Sequence, residues 1–337
     1  MLWAEHVARN TARERDDVCA EVKPHFSDAE LVELTGVCGF FAMLNRFQDS
    51  LHLPIEEPGY INNIRRSVRA DPEKIKAHIE RLVEHWPKSF PLAPANAAHT
   101  ADSDARRDYF YPSRPEYDQC RVALLDPNTP EDTVKSSLLA TQQLLGGVSN
   151  AARAWAHIPY AGMLSLPFHF VQEHEGTGCI LPSRVKAIVF LRTSHLNSAL
   201  YTLAHNIAFA RAVGLSEGEI HAARTGTGTS SAQFSSRERA ALLWAENVAP
   251  NTARRNAPVF DEVKRHFNHA ELVELTALCA TMNMANRMHN ALRIPLEPQR
   301  EIDALNRVRV APAQLKAYLV TLLHHWPRTL PLPQETA

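Results

Sequence analysis

Several common functional signatures are absent from this sequence of 337 residues. No apolar run is long enough to span a bilayer. The N-terminus, MLWAEHVARNTARERDD, has no apolar stretch of the signal-peptide kind. The expectation is a cytoplasmic protein with no membrane partner. Lysine plus arginine (36) almost balance aspartate plus glutamate (37), so no charge excess invites nucleic acid, and none is expected as a partner. The five cysteines, Cys19, Cys38, Cys120, Cys179 and Cys279, are scattered, and no two form a CxxC. That argues against a disulfide framework and a structural zinc site. Histidine is frequent, at 17 residues, but no HExxH occurs. His169 and His174 are not at helical ligand spacing, and His266 with His269 is matched elsewhere by His25 with Asp28. Neither a metal nor a cofactor is expected.

What is present is a long internal repeat. LWAEHVARNTARERDDVCAEVKPHFSDAELVELTGVCGFFAMLNRFQDSLHLPIE, from Leu2, has a near copy from Leu243, LWAENVAPNTARRNAPVFDEVKRHFNHAELVELTALCATMNMANRMHNALRIPLE. About half the positions are identical without a gap, and the likeness resumes at HWPKSFPL and HWPRTLPL. The period is too long for a solenoid and implies a duplicated module. The second copy is preceded by a capped helix start, Ser235-x-x-Glu238, whereas Met1 aligns with Leu242 in mid-helix. The first copy is therefore expected to be incomplete, with no counterpart of residues 150–241.

The pattern is helical throughout, with no convincing strand-type alternation, so the expected fold class is all-α. Ser27-x-x-Glu30 is a capping box opening a helix to about Ser50, with its twin from Asn268 to about Ala291. Asp71-Pro72 reads as an N-cap followed by proline at the first helical position. The stretch from Leu92 to about Pro130 is rich in Pro, Ala, Asp and Ser and reads as a linker; Thr129-Pro130-Glu131-Asp132 opens the next helix. The expected division is an incomplete repeat at 1–92, a linker at 93–128 and a complete helical domain at 129–337. Both long helices carry wide apolar stripes, and duplicated modules often pack as a symmetric dimer would. The two copies are expected to meet about a pseudo-twofold axis through those helices.

One helix stands out. In LNSALYTLAHNIAFARAVGLS, Leu200, Leu203, Ile207 and Ala210 recur at helical spacing, and Gly214 ends the run. Tyr201 and His205 lie four apart on one face, with Thr202 and Asn206 beside them. A short, alanine-rich helix that looks built for burial thus starts with four polar side chains.

Four segments in order, LPSRVKAIVFLRTSHLN, ARAVGLSEGEI, FSSRERAALLWAENV and HFNHAELVELTALCATMNMANRM, make residues 160–295 resemble the carboxymuconolactone decarboxylase/alkylhydroperoxidase D (AhpD)-like family. The N-terminal copy resembles only the last part of that domain. The resemblance implies an all-helical AhpD-like fold, homo-oligomers and, often, thiol peroxidase activity. The family's chemistry usually sits in a stretch resembling N-G-C-x-Y-C-x-x-x-H, with a glutamate one helix earlier. A CxxC at a helix start puts two sulfurs on one face, where the helix dipole lowers the thiol pKa. Anchored on Asn197, Tyr201 and Gly214, the glutamate position becomes Ala187, the cysteines Ala199 and Thr202, and the histidine Asn206. A one-residue shift puts the histidine on His205 and the cysteines on Ser198 and Tyr201. Neither register supplies sulfur.

The expected site is therefore His205 and Tyr201 as an acid–base pair, with Thr202, Asn206 and His195 binding substrate. The function would be cofactor-free lyase, decarboxylase or isomerase chemistry on a small organic acid. The alternative is a catalytically silent scaffold or ligand binder in which His205 and Tyr201 are buried residues with satisfied hydrogen bonds. A peroxidase reading rests on resemblance alone. Arg184, Lys186 and Arg192 could bind a carboxylate or form a solvated helix face. TGTGTSS at 225–231 follows a helix and lacks Gly-Lys-Ser/Thr, so a connector is expected over a phosphate loop. Cys38 and Cys279 are expected in the core.

Overall fold

The computed structural model describes residues 1–64, 71–89, 119–173, 175, 178–306 and 310–329. The N-terminal part holds α1 (Leu2–Ala8), α2 (Asp16–Val22), α3 (Asp28–Ser50), α4 (Pro58–Ile64) and α5 (Pro72–Glu84). Next come α6 (Asp132–Leu145), α7 (Asn150–Trp155), α8 (Pro159–Glu173), α9 (Ser183–Leu196), α10 (Leu200–Ala212) and α11 (Glu217–Thr225). The chain continues with α12 (Ser236–Val248), α13 (Ala257–Lys264), α14 (His269–Leu292), α15 (Gln299–Leu305) and α16 (Pro312–His324). No strand occurs among the described residues, and the fold is all-α. Among them, no helix is long and apolar enough to cross a membrane. Residues 93–118 of the expected linker, and His174, lie outside the described residues.

The helix starts follow local chemistry. Reciprocal capping boxes form at Ser27/Glu30, Ser216/Glu219, Ser235/Glu238 and Asn268/Glu271. Asp71 accepts from the Glu73 N–H, with Pro72 in the first turn. Beyond α11, Gly226 adopts φ 91°, and a Cβ there would lie 2.5 Å from the Arg192 guanidinium. The first glycine of TGTGTSS thus admits a packed arginine, and Thr227–Thr229 is a short 3-10 turn.

The core of the C-terminal part is built around α9. Val185, Ala187, Ile188, Val189 and Leu191 are buried on it, packed by α10, α11, α12 and α14. Each fully buried Leu, Ile or Val stabilises the fold by about 1.5–3 kcal/mol. Cys279 is part of this core; Cys38 is only half-buried.

The two copies of the repeated sequence make matching local bonds. Trp3 Nε1 donates to Thr35 Oγ1 at 2.9 Å, and Trp244 Nε1 to Thr276 Oγ1 at 3.0 Å. The most extensive contact between any two helices is α3 on α14. Bonds between the copies run in both directions. Arg46 Nε donates to the Ala249 carbonyl, and Arg287 Nε to that of Ala8. Asn251 donates to Asp49, and Asn290 to Asn10. Trp86 Nε1 donates to the Pro312 carbonyl, and Trp326 Nε1 to that of Pro72. Each bond joins a position in one copy to the corresponding partner position in the other.

The same register shows an asymmetry. Leu278, Thr281 and Met282 on α14 are 0%, 4% and 3% exposed. α9 and α10 pack on that helix. Their counterparts on α3, Val37, Phe40 and Phe41, are 49%, 46% and 53% exposed.

Candidate functional site

The four polar residues that open α10 converge on one cavity. It has a volume of about 210 Å³ and is walled by α6, α7, α8, α10 and α14, with Leu305 and Asn306 closing one side. Tyr201, Thr202, His205 and Asn206 all line it, together with Glu173, His169 and His289. The positions that the family resemblance aligns with the second cysteine and the histidine, Thr202 and Asn206, are among them. Ala187 and Ala199, aligned with the glutamate and first cysteine, are fully buried.

Beneath the cavity lies a carboxylate that sequence reading missed. Glu297 is 6% exposed. It accepts from Tyr201 Oη at 2.7 Å and the Asn150 N–H through one oxygen, and from His205 Nε2 at 3.0 Å through the other. Burial pushes the Glu297 carboxyl up, but these hydrogen bonds and the imidazole outweigh it and hold the group below the usual carboxylate range. Asn306 Nδ2 donates to His205 Nδ1 at 3.0 Å and to the Ile302 carbonyl at 2.7 Å. The carbonyl can only accept, so it fixes the Asn306 amide and makes Nδ1 an acceptor. The proton of His205 therefore sits on Nε2, facing Glu297. Burial and the adjacent Glu297 raise Tyr201 well above the usual phenol range. Tyr201 Oη also accepts from the Ala151 N–H at 3.3 Å.

The other ionisable groups face the cavity with less to hold them. His289 Nδ1 bonds Thr202 Oγ1 at 2.9 Å, and burial, with His205 and His169 nearby, drops its pKa to about 3. Burial lowers His169 to about 4. Burial raises Glu173 to about 7, partly countered by Lys186. Glu173 has no hydrogen-bond partner among the described residues. His169 and Glu173 are four apart on α8, so their side chains stack on one face. That spacing, within FHFVQE, is the sequence signal that could have found them. Glu297 offers no such signal, because its counterpart in the repeat, Glu56, is exposed.

His195 is not brought to this site. It is exposed in the last turn of α9 and does not line the cavity. Nor are the α9 cations free to hold a ligand, or a solvated face. Arg184 pairs with Glu238 at 2.6 Å and also with Glu219. Lys186, fully buried, donates to the Gln172 carbonyl and lies 3.4 Å from Glu274. Arg192 pairs with Glu246 at 2.8 Å. No cysteine lines the cavity. Burial pushes Cys279 up to about 12 and Cys179 to about 11.

No family model matches the chain, and no curated protein does. Solved structures similar to it include an alkylhydroperoxidase AhpD core, an uncharacterized peroxidase-related protein from Ralstonia eutropha. That match has 21% identity and a TM-score of 0.47, covering 56% of this chain and 97% of the other. The debrominase Bmp8 matches at 19% identity and TM-score 0.38, covering 52% of this chain and 92% of the other. A cysteine variant of Bmp8 in complex with 2,3,4-tribromopyrrole matches at 20% identity and TM-score 0.40, covering 55% and 97%. AhpD-like proteins are thus among the structures this chain is similar to, each over about half of its length.

Proposed function

We propose that this is an AhpD-like, carboxymuconolactone decarboxylase-like protein that uses its cavity without thiol chemistry. A small molecule enters and undergoes side-chain acid–base chemistry of the lyase or isomerase type. The observation that carries this reading is Glu173, a cavity-facing carboxyl held near neutrality opposite the uncharged imidazole of His289. A group that titrates near the working pH is the best placed to give and take a proton. In this reading His205 and Tyr201 are positioning residues, since both imidazole nitrogens and the phenol oxygen are already bonded. That same engagement favours the second reading, a catalytically silent binder using the same cavity. The peroxidase reading has the least support, because the described thiols that shift all shift upward, away from thiolate. We further propose a homo-oligomer that covers the exposed apolar face of α3.

The test is fragment screening by ligand-observed NMR, then mass spectrometry of each bound fragment after incubation. Ala285 lines the cavity, so Ala285→Phe should fill it. Binding lost in Ala285→Phe, with conversion that survives complete alkylation of the cysteines, supports the enzyme. Binding without conversion supports the silent binder. Conversion abolished by alkylation contradicts both.

A further inference from the structure

The charge balance of the cavity points to the class of molecule it takes, given the reading above that the cavity is the working site. We infer that the ligand is an uncharged, ring-sized molecule with a hydrogen-bonding edge, and that carboxylates are rejected. The size comes first. An engineered apolar cavity of about 150 Å³ accepts benzene, and this one, at about 210 Å³, leaves room for a ring and one substituent. Its walls suit a flat apolar body: Leu145, Trp155, Leu166, Phe170, Phe209 and Met282. Its polar groups gather on facing elements, His169 and Glu173 on α8 against Thr202 and Asn206 on α10 and His289 on α14.

No lysine or arginine lines the cavity among the described residues. The cations of α9, Arg184, Lys186 and Arg192, are engaged by Glu238, Glu274 and Glu246. A bound carboxylate would give up hydration beside Glu173 with no counter-charge among the described residues to replace it, an unfavourable exchange. An ammonium ligand would find one acidic partner, Glu173, on which the Lys186 ammonium already acts. An uncharged edge meets no such cost. A carbonyl can accept from the Glu173 carboxyl, and an N–H or O–H can donate to a neutral imidazole. The small organic acid expected from the sequence does not suit this lining.

The experiment compares three near-isosteres, benzamide, benzoate and benzylamine, by calorimetry at pH 6.5, with Trp155 fluorescence as a second signal. The Trp155→Phe protein identifies the Trp155 share of that fluorescence. Ala285→Phe and Ser165→Phe, from opposite walls, test location. Two filling variants are used so that one with a lowered unfolding midpoint can be set aside. The expected result is benzamide bound at least about tenfold more tightly than benzoate and benzylamine, with binding lost in the filling variants. Benzoate or benzylamine bound as tightly as benzamide, and lost in the same variants, overturns the charge inference while keeping the cavity as the site. Binding of all three that ignores the filling variants, or no binding of any, overturns both.

Discussion

Replacing Glu297 by glutamine tests whether the network under the cavity is held by charge and donor count. The carboxylate accepts three hydrogen bonds, from Tyr201, His205 and the Asn150 N–H. Glutamine keeps the shape but one terminal atom becomes an N–H donor. If the amide oxygen keeps Tyr201 and Asn150, the amide nitrogen must face His205 Nε2–H, donor against donor. His205 cannot escape by moving its proton to Nδ1, because Asn306 Nδ2 donates there and is held by the Ile302 carbonyl. The imidazole N–H loses its acceptor to an amide N–H that has none either, and two charge-assisted bonds become neutral. The first costs about 1–3 kcal/mol, and the second adds up to about 1 kcal/mol for each bond. Glu297→Gln should therefore destabilise by about 2–4 kcal/mol in urea unfolding at pH 7, with an unchanged denaturant slope. Glu297 has a folded pKa below its unfolded one, so its contribution is full above about pH 4.5 and is lost as pH falls through the folded value. The difference between parent and variant should shrink below pH 4. A loss under about 0.5 kcal/mol at pH 7, or a difference that does not shrink in acid, would refute a charge-held network.

Three further outcomes are expected. Glu173, raised to about 7 by burial, is penalised when ionised, so the parent should lose about 3 kcal/mol between pH 4.5 and 7 from this group. Glu173→Gln should remove that descent, and parallel urea-stability curves for the two proteins would contradict it. A Cβ at Gly39 would lie 3.3 Å from Met284, so Gly39→Leu should push α3 from α14 at a cost of about 1–3 kcal/mol, read by chemical denaturation. Unchanged stability would place the two helices farther apart than described. With cumene hydroperoxide and a dithiol reductant, turnover should not exceed the protein-free rate; robust turnover that alkylation abolishes would restore the peroxidase reading.

Helix starts were the most legible part of the fold, because a capping box is local: Ser27, Ser235 and Asn268 each decide a start from three residues of context. The polar opening of α10 was legible as a break in an apolar pattern, and the structure turns its four side chains to one cavity. The partners of those side chains were not legible. Glu297 lies 92 residues from His205 in sequence, and Asn306 lies 101. Long-range pairing leaves no periodic mark. The partners of the α9 cations were not legible for the same reason. Arg184 looks exposed until Glu219 and Glu238, 35 and 54 residues on, close around it. His195 shares a helix with buried residues yet sits in the exposed last turn, a distinction that composition does not carry.

Whether a small molecule occupies the cavity between α8 and the facing α10 and α14 is tested most directly by intermolecular NOEs. Methyl-labelled protein would be saturated with benzamide, and cross-peaks from its ring protons would be assigned. The expected result is contacts to Leu166, Thr202 and Ala285, which line the cavity from three helices. Ring contacts confined to surface groups such as Val37 and Leu53, with none to those three, would contradict it.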